Sequence, residues 1–362
     1  MTPKAVAIAA GGGGDAITSA IVASKLCSRF DVVAIMSYSW DRLLTDPTPG
    51  PRSFADFTGL IEHSTLVREI TESAQLRMGG RSTLPGLVPH LACPLLLLDP
   101  SAGAVGLAAQ ICRAAEVFRA ELVVVVDTGG DVLAEGHEAG LRSPLADSLA
   151  LAAAVRSGIP ATLLVAGVGL DGELSPPELY GLLKRHGATV AADLGPADVS
   201  TFGDVWSWHP SEANGLVAAA AGGWRGTVET QRNTLLQVND DATAVSELGA
   251  EAVASQSLAH VLGGTTSLDL VEQLIRDHRG HTDIDVERDR LITRPKSRMP
   301  DSATLSQIDR YASGAADRGI NALTLRRVFE LSAATGIEAT TALRELLRSK
   351  RASRMRPPLY LV

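Results

Sequence analysis

Five apolar runs with no internal polar alternation constrain this chain more than any other feature. They are Ala5–Ala9, Val32–Met36, Leu95–Leu98, Leu122–Val126 and Ala161–Val165. A strand with one wet face alternates apolar and polar residues, whereas a run that stays apolar is buried on both faces. Helical patterns follow three of the runs, at Ile17–Leu26, Gly106–Phe118 and Leu145–Val155. Strand–helix alternation of this kind predicts an α/β fold of Rossmann-like type, with a doubly wound, mostly parallel sheet.

The main domain is expected over residues 1–290. Within it Trp40–Pro94 is irregular, with a Pro-rich loop at Asp46–Pro51 and a helix expected over Thr65–Gln75. Further on, Ser211 caps a helix running to Ala221, Gly226–Val238 reads as one or two strands, and Leu268–Asp277 is amphipathic. Glu287–Ser302, polar and carrying Pro295 and Pro300, reads as a linker. It leads to a small helical C-terminal module over 303–362, with helices at Leu305–Ala312, Ala322–Leu331 and Thr341–Arg348. That module ends basic, from Arg344 to Arg356, before the apolar tail Pro357–Val362.

Charge and composition narrow the partners. The net charge is −8 and aromatic residues make up 4%. Duplex binding rests on phosphate neutralisation by a basic face, and single-strand binding on stacked aromatics, so nucleic acid is not the expected partner. No apolar stretch reaches the roughly 18 residues of a membrane span. Cys27, Cys93 and Cys112 are odd in number and form no C-x-x-C, so the expectation is buried small hydrophobes in a reducing, cytoplasmic setting. A small-molecule substrate is the expected partner, and homo-oligomerisation is left open.

Chemistry concentrates where the strands end. After the first strand comes Gly11-Gly12-Gly13-Gly14-Asp15. Four glycines free the backbone to approach a ligand, and the helix start behind them offers unpaired N–H groups to an anion. The spacing Gly11-x-Gly13-x-x-Ala16 fits a dinucleotide fingerprint, but the second strand ends Met36-Ser37-Tyr38-Ser39 without the ribose-binding acid, the nearest being Asp41. The fourth strand ends Asp127-Thr128-Gly129-Gly130-Asp131 and runs on to Glu138 and Asp147. Carboxylates gathered at a strand tip repel one another unless a cation joins them, which points to Mg²⁺ held by Asp15, Asp127 and Asp131. Asp147 reads as a helix cap. Similar tips occur at Asp99–Ala104 and at Gly167–Glu173. In an open parallel sheet this carboxyl edge is where ligands bind.

Three further groups complete the candidate site. Trp206-Ser207-Trp208-His209-Pro210-Ser211-Glu212 places His209 before a helix with Glu212 in its first turn, an acid/base group beside a carboxylate or else a cap. Ser82 and Thr83, after Arg81, are hydroxyls for an anion. Glu138 is an alternative acid/base group. Asp131, Glu138, His209 and Glu212 are thus the catalytic candidates. Gly11–Gly14, Asp15, Ser82, Thr83, Thr128, Gly129 and Gly130 are the binding candidates. No G-x-S-x-G, H-E-x-x-H or Walker-type Gly-Lys-Ser/Thr is present.

The motifs GGGGD, VVDTGGD followed by HEAGLRSPLAD, WHPSEANGL and GTTSLDLVEQLIR, in this order, resemble a family known as a domain of unknown function, number 1152. The resemblance spans most of residues 4–290 and implies a fold but no activity. A shorter likeness lies in Ile8–Ala20, which is similar to the first phosphate-binding turn of phosphofructokinases, and in Gly129–Asp131, which resembles their nucleotide loop. Val132 stands where those kinases carry a further Gly. Together the loops predict an enzyme acting on a small phosphorylated or nucleotide-like molecule by group transfer, hydrolysis or elimination. The alternatives are an NAD(P)-dependent oxidoreductase and a ligand-sensing module acting through the basic helices.

Overall fold

The computed structural model describes residues 2–362, folded as a nine-stranded sheet and a five-stranded sheet wrapped in helices, with a two-stranded ribbon beside them. The middle of the large sheet holds five strands, in the order Leu95–Leu97, Asp31–Tyr38, Lys4–Gly12, Leu122–Thr128 and Ala161–Ala166. Each is parallel to its neighbour. The five apolar runs fall on these five strands. Along the first of them, Val6, Ile8 and Ala10 enter the core on one face, and Ala5, Ala7 and Ala9 enter the core on the other. The helices Gly103–Phe118 and Leu145–Arg156 close the first core; Asp15–Lys25 and Glu212–Ala221 close the second.

Outside this middle the sheet changes direction. Ala244–Gly249 and then Thr189–Asp193 extend one side antiparallel, and Val67–Glu69 and Ile61–Ser64 extend the other. The second sheet runs Leu235–Val238, Gly226–Glu229, Ala322–Thr324, Leu359–Leu361, Met355–Arg356, with a single parallel pairing. The expectation of a Rossmann-like, doubly wound and mostly parallel fold is therefore corrected. Among the described residues eight strand pairings are antiparallel and five parallel. The nucleotide-binding sheet that such a fold would carry is corrected with it. Apolar runs report burial on both faces, so they revealed the parallel middle. The added strands are short and partly wet, with Val190 65% exposed, and left no such mark.

The C-terminal helical region is also larger than expected. It comprises Ala250–Ala254, Ala259–Leu262, Leu268–Arg279, Asp283–Thr293, Ser302–Asp317, Leu325–Leu331 and Gly336–Lys350. The expected linker over Glu287–Ser302 is half helix: Thr282 and Asp285 form a capping box that opens Asp283–Thr293, leaving 294–301 as connection. Ala322–Thr324 is a strand, and the helix begins after Thr324, whose hydroxyl accepts from the Arg327 N–H. The expected helix over Thr65–Gln75 is instead the second arm of the hairpin Ile61–Ser64/Val67–Glu69. Cys27 is exposed in the turn beyond Lys25, and Cys93 and Cys112 are half-buried, so none is a core residue. No described helix is long and apolar enough to cross a membrane.

Two placements position the site. The strands Lys4–Gly12 and Leu122–Thr128 are neighbours in register, so their carboxyl ends lie side by side. The helix Leu145–Arg156 is buried from Leu145 to Ala154, held between the sheet and the helices Gly103–Phe118, Ala250–Ala254 and Ala259–Leu262.

Candidate functional site

Side by side, those two strand ends bring Asp15 and Asp127 together, and the start of the buried helix adds Asp147. Oxygen atoms of the three carboxylates all lie within 4.8 Å of one another. Asp15 opens its helix, where the macrodipole favours an anion. Its Oδ2 accepts from the Gly11 N–H at 2.9 Å and its Oδ1 from the Asn214 amide at 2.8 Å. Asn214 cannot rotate freely: its Oδ1 accepts from the Thr18 hydroxyl at 2.5 Å and from the Thr128 hydroxyl at 3.1 Å. Asp127 is fully buried; its Oδ2 accepts from the Gly130 N–H at 2.8 Å, and its Oδ1 has no partner.

Burial dominates the electrostatics. It pushes Asp15 up to about 6, with Asn214 and Gly11 pulling the other way. It pushes Asp127 up to about 7, reinforced by the charge of Asp15. Asp147 is driven well above the carboxylate range by burial and then by Asp127 and Asp15. Asp131 rises in the same way, from burial and then from Asp147 and Asp127. Asp171 follows, from burial and then Glu173. Such a set must either hold protons or share a cation. Oxygens that all lie within 4.8 Å of one another are close enough for one divalent cation to be shared among the three carboxylates.

Asp15 and Asp147 of this cluster border a cavity of about 530 Å³, lined by Gly11–Asp15, Thr128, Asp131 and Asp147, by His209–Asn214, and by residues as late as Thr335, whereas fully buried Asp127 is not part of the lining. The structure thus gathers Asp15, Thr128, Asp131, His209 and Glu212 in one place. Asp147, read from sequence as a cap, takes the place in the trio expected for Asp131; the N-cap position is held by Pro144, and Asp147 lies in the first turn of the helix. Glu138 does not line the cavity, because its carboxylate accepts from the N–H groups of Glu135 and Gly136. Ser82 and Thr83 do not line it either. The Ser82 hydroxyl is held by Ser39 and Leu84, and Thr83 by Asp41. Gly129 and Gly130, at φ 122° and 108°, serve the turn that returns an N–H to Asp127.

His209 is 3% exposed and packed edge-on against Trp206 and Trp208. Burial, then Arg344 and Arg326, push it down to about 3, so the ring is neutral. Its Nδ1 accepts from the Ser211 N–H at 3.2 Å, which leaves the proton on Nε2, an atom without a partner. The expected carboxylate beside it is engaged elsewhere: Glu212 accepts from the Gln231 N–H and the Thr324 hydroxyl.

The glycine run is explained by protein neighbours more than by a ligand. A Cβ on Gly12 would stand 2.8 Å from the Trp40 carbonyl oxygen, and one on Gly14 would stand 2.5 Å from Ser211. A Cβ on Gly11 would meet Asp15 at 2.5 Å, and the Gly11 N–H already serves that residue. The dinucleotide fingerprint is corrected on this ground as well: an N–H that a pyrophosphate would need is spent on a carboxylate.

Sequence reasoning missed the cationic wall of the cavity, formed by Arg42, Arg142, Arg232, Arg290, Arg294 and Arg326. These residues are scattered over the chain and no local motif unites them. Asp147 had a legible signal: with Ser148 it is the polar exception in the otherwise apolar stretch Leu145–Val155.

A family model described as a protein of unknown function (DUF1152) matches residues 6–291. No curated protein and no solved structure matches the chain.

Proposed function

Because the chain belongs to the DUF1152 family, whose description assigns no chemistry, we propose from the site alone that it is a divalent-cation-dependent enzyme acting on a small phosphorylated molecule. The observation that carries this reading is Asp127 Oδ1, a buried carboxylate oxygen with no donor, set within 4.8 Å of two further carboxylates. An uncompensated buried charge is costly, and a cation is the partner that satisfies all three groups at once. Asp15, Asp127 and Asp147 would hold it. Bound there, it would supply positive charge to polarise a phosphoryl oxygen.

The other residues have definable tasks. Asn214 fixes the rotamer of Asp15 through four hydrogen bonds. Asp131 lines the cavity, and burial, then Asp147 and Asp127, raise its carboxyl well above the ordinary range, which favours the form that donates a proton to a leaving oxygen. His209 offers an N–H donor, and its low pKa removes it as a base.

Titration calorimetry with Mg²⁺ and Mn²⁺ on chelator-treated protein tests the centre. Binding that disappears in Asp127→Asn supports it, and protein that takes up neither ion overturns it. A turnover screen over phosphomonoesters and sugar phosphates then tests the activity, with product analysis separating transfer, hydrolysis and elimination.

A further inference from the structure

The same cavity has a second pole that the metal centre does not use. We propose that its end lined by His209, Arg290, Arg294 and Arg326 is a preformed subsite for a phosphate group, and that the substrate is a phosphomonoester docked there by its anion. The inference rests on the reading of the cavity as the active site and adds where the substrate's charge goes.

Unpaired charge marks this pole. Two other arginines of the cavity are compensated: Arg42 lies over the Trp40 ring at 3.8 Å and within 3.7 Å of Asp283 and 3.6 Å of Glu287, and Arg232 reaches Glu173 at 3.5 Å. Arg326 forms no hydrogen bond and no ion pair among the described residues, and its Nε is buried without a partner. Its nearest carboxylates are committed, Glu212 to Gln231 and Thr324, and Glu330 to Arg327 at 3.6 Å. Arg290, an exposed residue of the cavity lining, forms no ion pair either, and half-buried Arg294 spends one nitrogen on the Leu43 carbonyl at 3.1 Å. The His209 Nε2–H is a fourth donor, buried and unpartnered. Behind the wall, Arg344 stacks over Phe329 at 4.8 Å with Nε and one terminal nitrogen also unpartnered, which adds positive field. The buried donors Arg326 Nε and His209 Nε2 cost free energy while unmade, and a phosphate with its several acceptor oxygens satisfies them together with the more exposed Arg290 and Arg294.

The two poles are wired to each other. His209 Nδ1 accepts from Ser211 N–H, the Ser211 hydroxyl accepts from the Asn214 amide, and that amide donates to Asp15. Arg294 and Arg326 lie beyond residue 291, where the family match ends, so two of the four donor residues come from outside the matched segment.

The test uses the full chain stripped of metal with chelator, with inorganic phosphate as probe, read by calorimetry and thermal shift. Phosphate should bind the metal-free protein. Arg326→Gln and Arg294→Gln should each weaken it at least tenfold with unchanged far-UV spectra, while Asp127→Asn should leave it within twofold. No binding without metal, full binding in both arginine variants, or loss in Asp127→Asn equal to that in Arg326→Gln would each overturn the subsite. Because the metal centre is tested without phosphate, the two readings fail separately.

Discussion

The Asn214 amide donates to Asp15 at 2.8 Å across 199 positions of sequence, and so ties the helix Glu212–Ala221 to the turn after the first strand. Asn214 also bonds Ser211, Thr18 and Thr128. Asn214→Ala should lower stability by at least about 2 kcal/mol, because several buried groups lose their partner at once. It should also weaken Mn²⁺ binding, since Asp15 loses its fixed rotamer. Denaturant unfolding and calorimetry read the two effects, and a variant of unchanged stability would remove Asn214 from its positioning role.

Asp127→Asn should do the opposite to the metal-free protein. It removes a buried charge that Asp15 and Asp147 repel, and the amide can donate to Asp147. In chelator at pH 8 the melting temperature should rise by about 1–2 °C, as for a gain near 1 kcal/mol in a chain of this size. The stabilisation that Mg²⁺ gives the wild type should vanish. A large loss of stability in chelator would show that Asp127 is structural in its charged form.

The carboxyls also predict a pH dependence. Asp15 at about 6 and Asp127 at about 7 hold protons more tightly folded than unfolded, the ordinary value being 3.8. Between about pH 4 and pH 7 the folded state therefore binds more protons, and the stability of metal-free protein falls as pH rises through that window. The carboxylates shifted downward, such as Asp285 and Asp309, act below it. Saturating divalent cation should flatten the fall and release protons on binding. Thermal melts from pH 4.5 to 8, with and without Mg²⁺, check both, and a metal-free melting temperature that climbs across the window would contradict the account.

Legibility in the sequence tracked whether a feature leaves a local trace. The run Leu122–Val126 ending in Asp127 marked a doubly buried strand with a carboxylate at its tip, and both are found there. The antiparallel additions left no trace, because pairing direction depends on how distant segments return and Thr189–Asp193 is half wet. The acidic pole was legible because Asp15 and Asp127 each follow a strand. Asp147 was misread because an Asp in the first turn of a helix looks like a cap until the burial of that helix is known. The arginine wall was invisible: Arg232, Arg290 and Arg326 meet only once the five-stranded sheet and the late helices are in place.

The glycines offer a test of packing against ligand approach. Gly12→Ala should cost about 1–3 kcal/mol, because its Cβ would stand 2.8 Å from the Trp40 backbone oxygen, which cannot yield as a side-chain tip would. Gly264→Ala, with nothing within 4 Å, is the silent control. Equal stability of the two variants, with ligand binding lost only in the first, would return the glycine run to a role in binding.

Asp131 separates proton donation from metal holding. It is 6% exposed and lines the cavity, yet it is not one of the three carboxylates whose oxygens cluster. Burial, then the neighbouring Asp147 and Asp127, push its carboxyl well above the ordinary range. Once turnover is found, a general acid predicts a rate that falls on the alkaline side as this proton is lost. Asp131→Asn keeps the shape and removes the titrating proton. It should lower kcat by about 10²–10⁴-fold and erase the alkaline fall. Calorimetric affinity for Mn²⁺ should stay within a few-fold, because the cation rests on Asp15, Asp127 and Asp147. If metal affinity collapses together with the rate, Asp131 belongs to the cation site. If the alkaline fall persists in Asp131→Asn, the proton comes from another group.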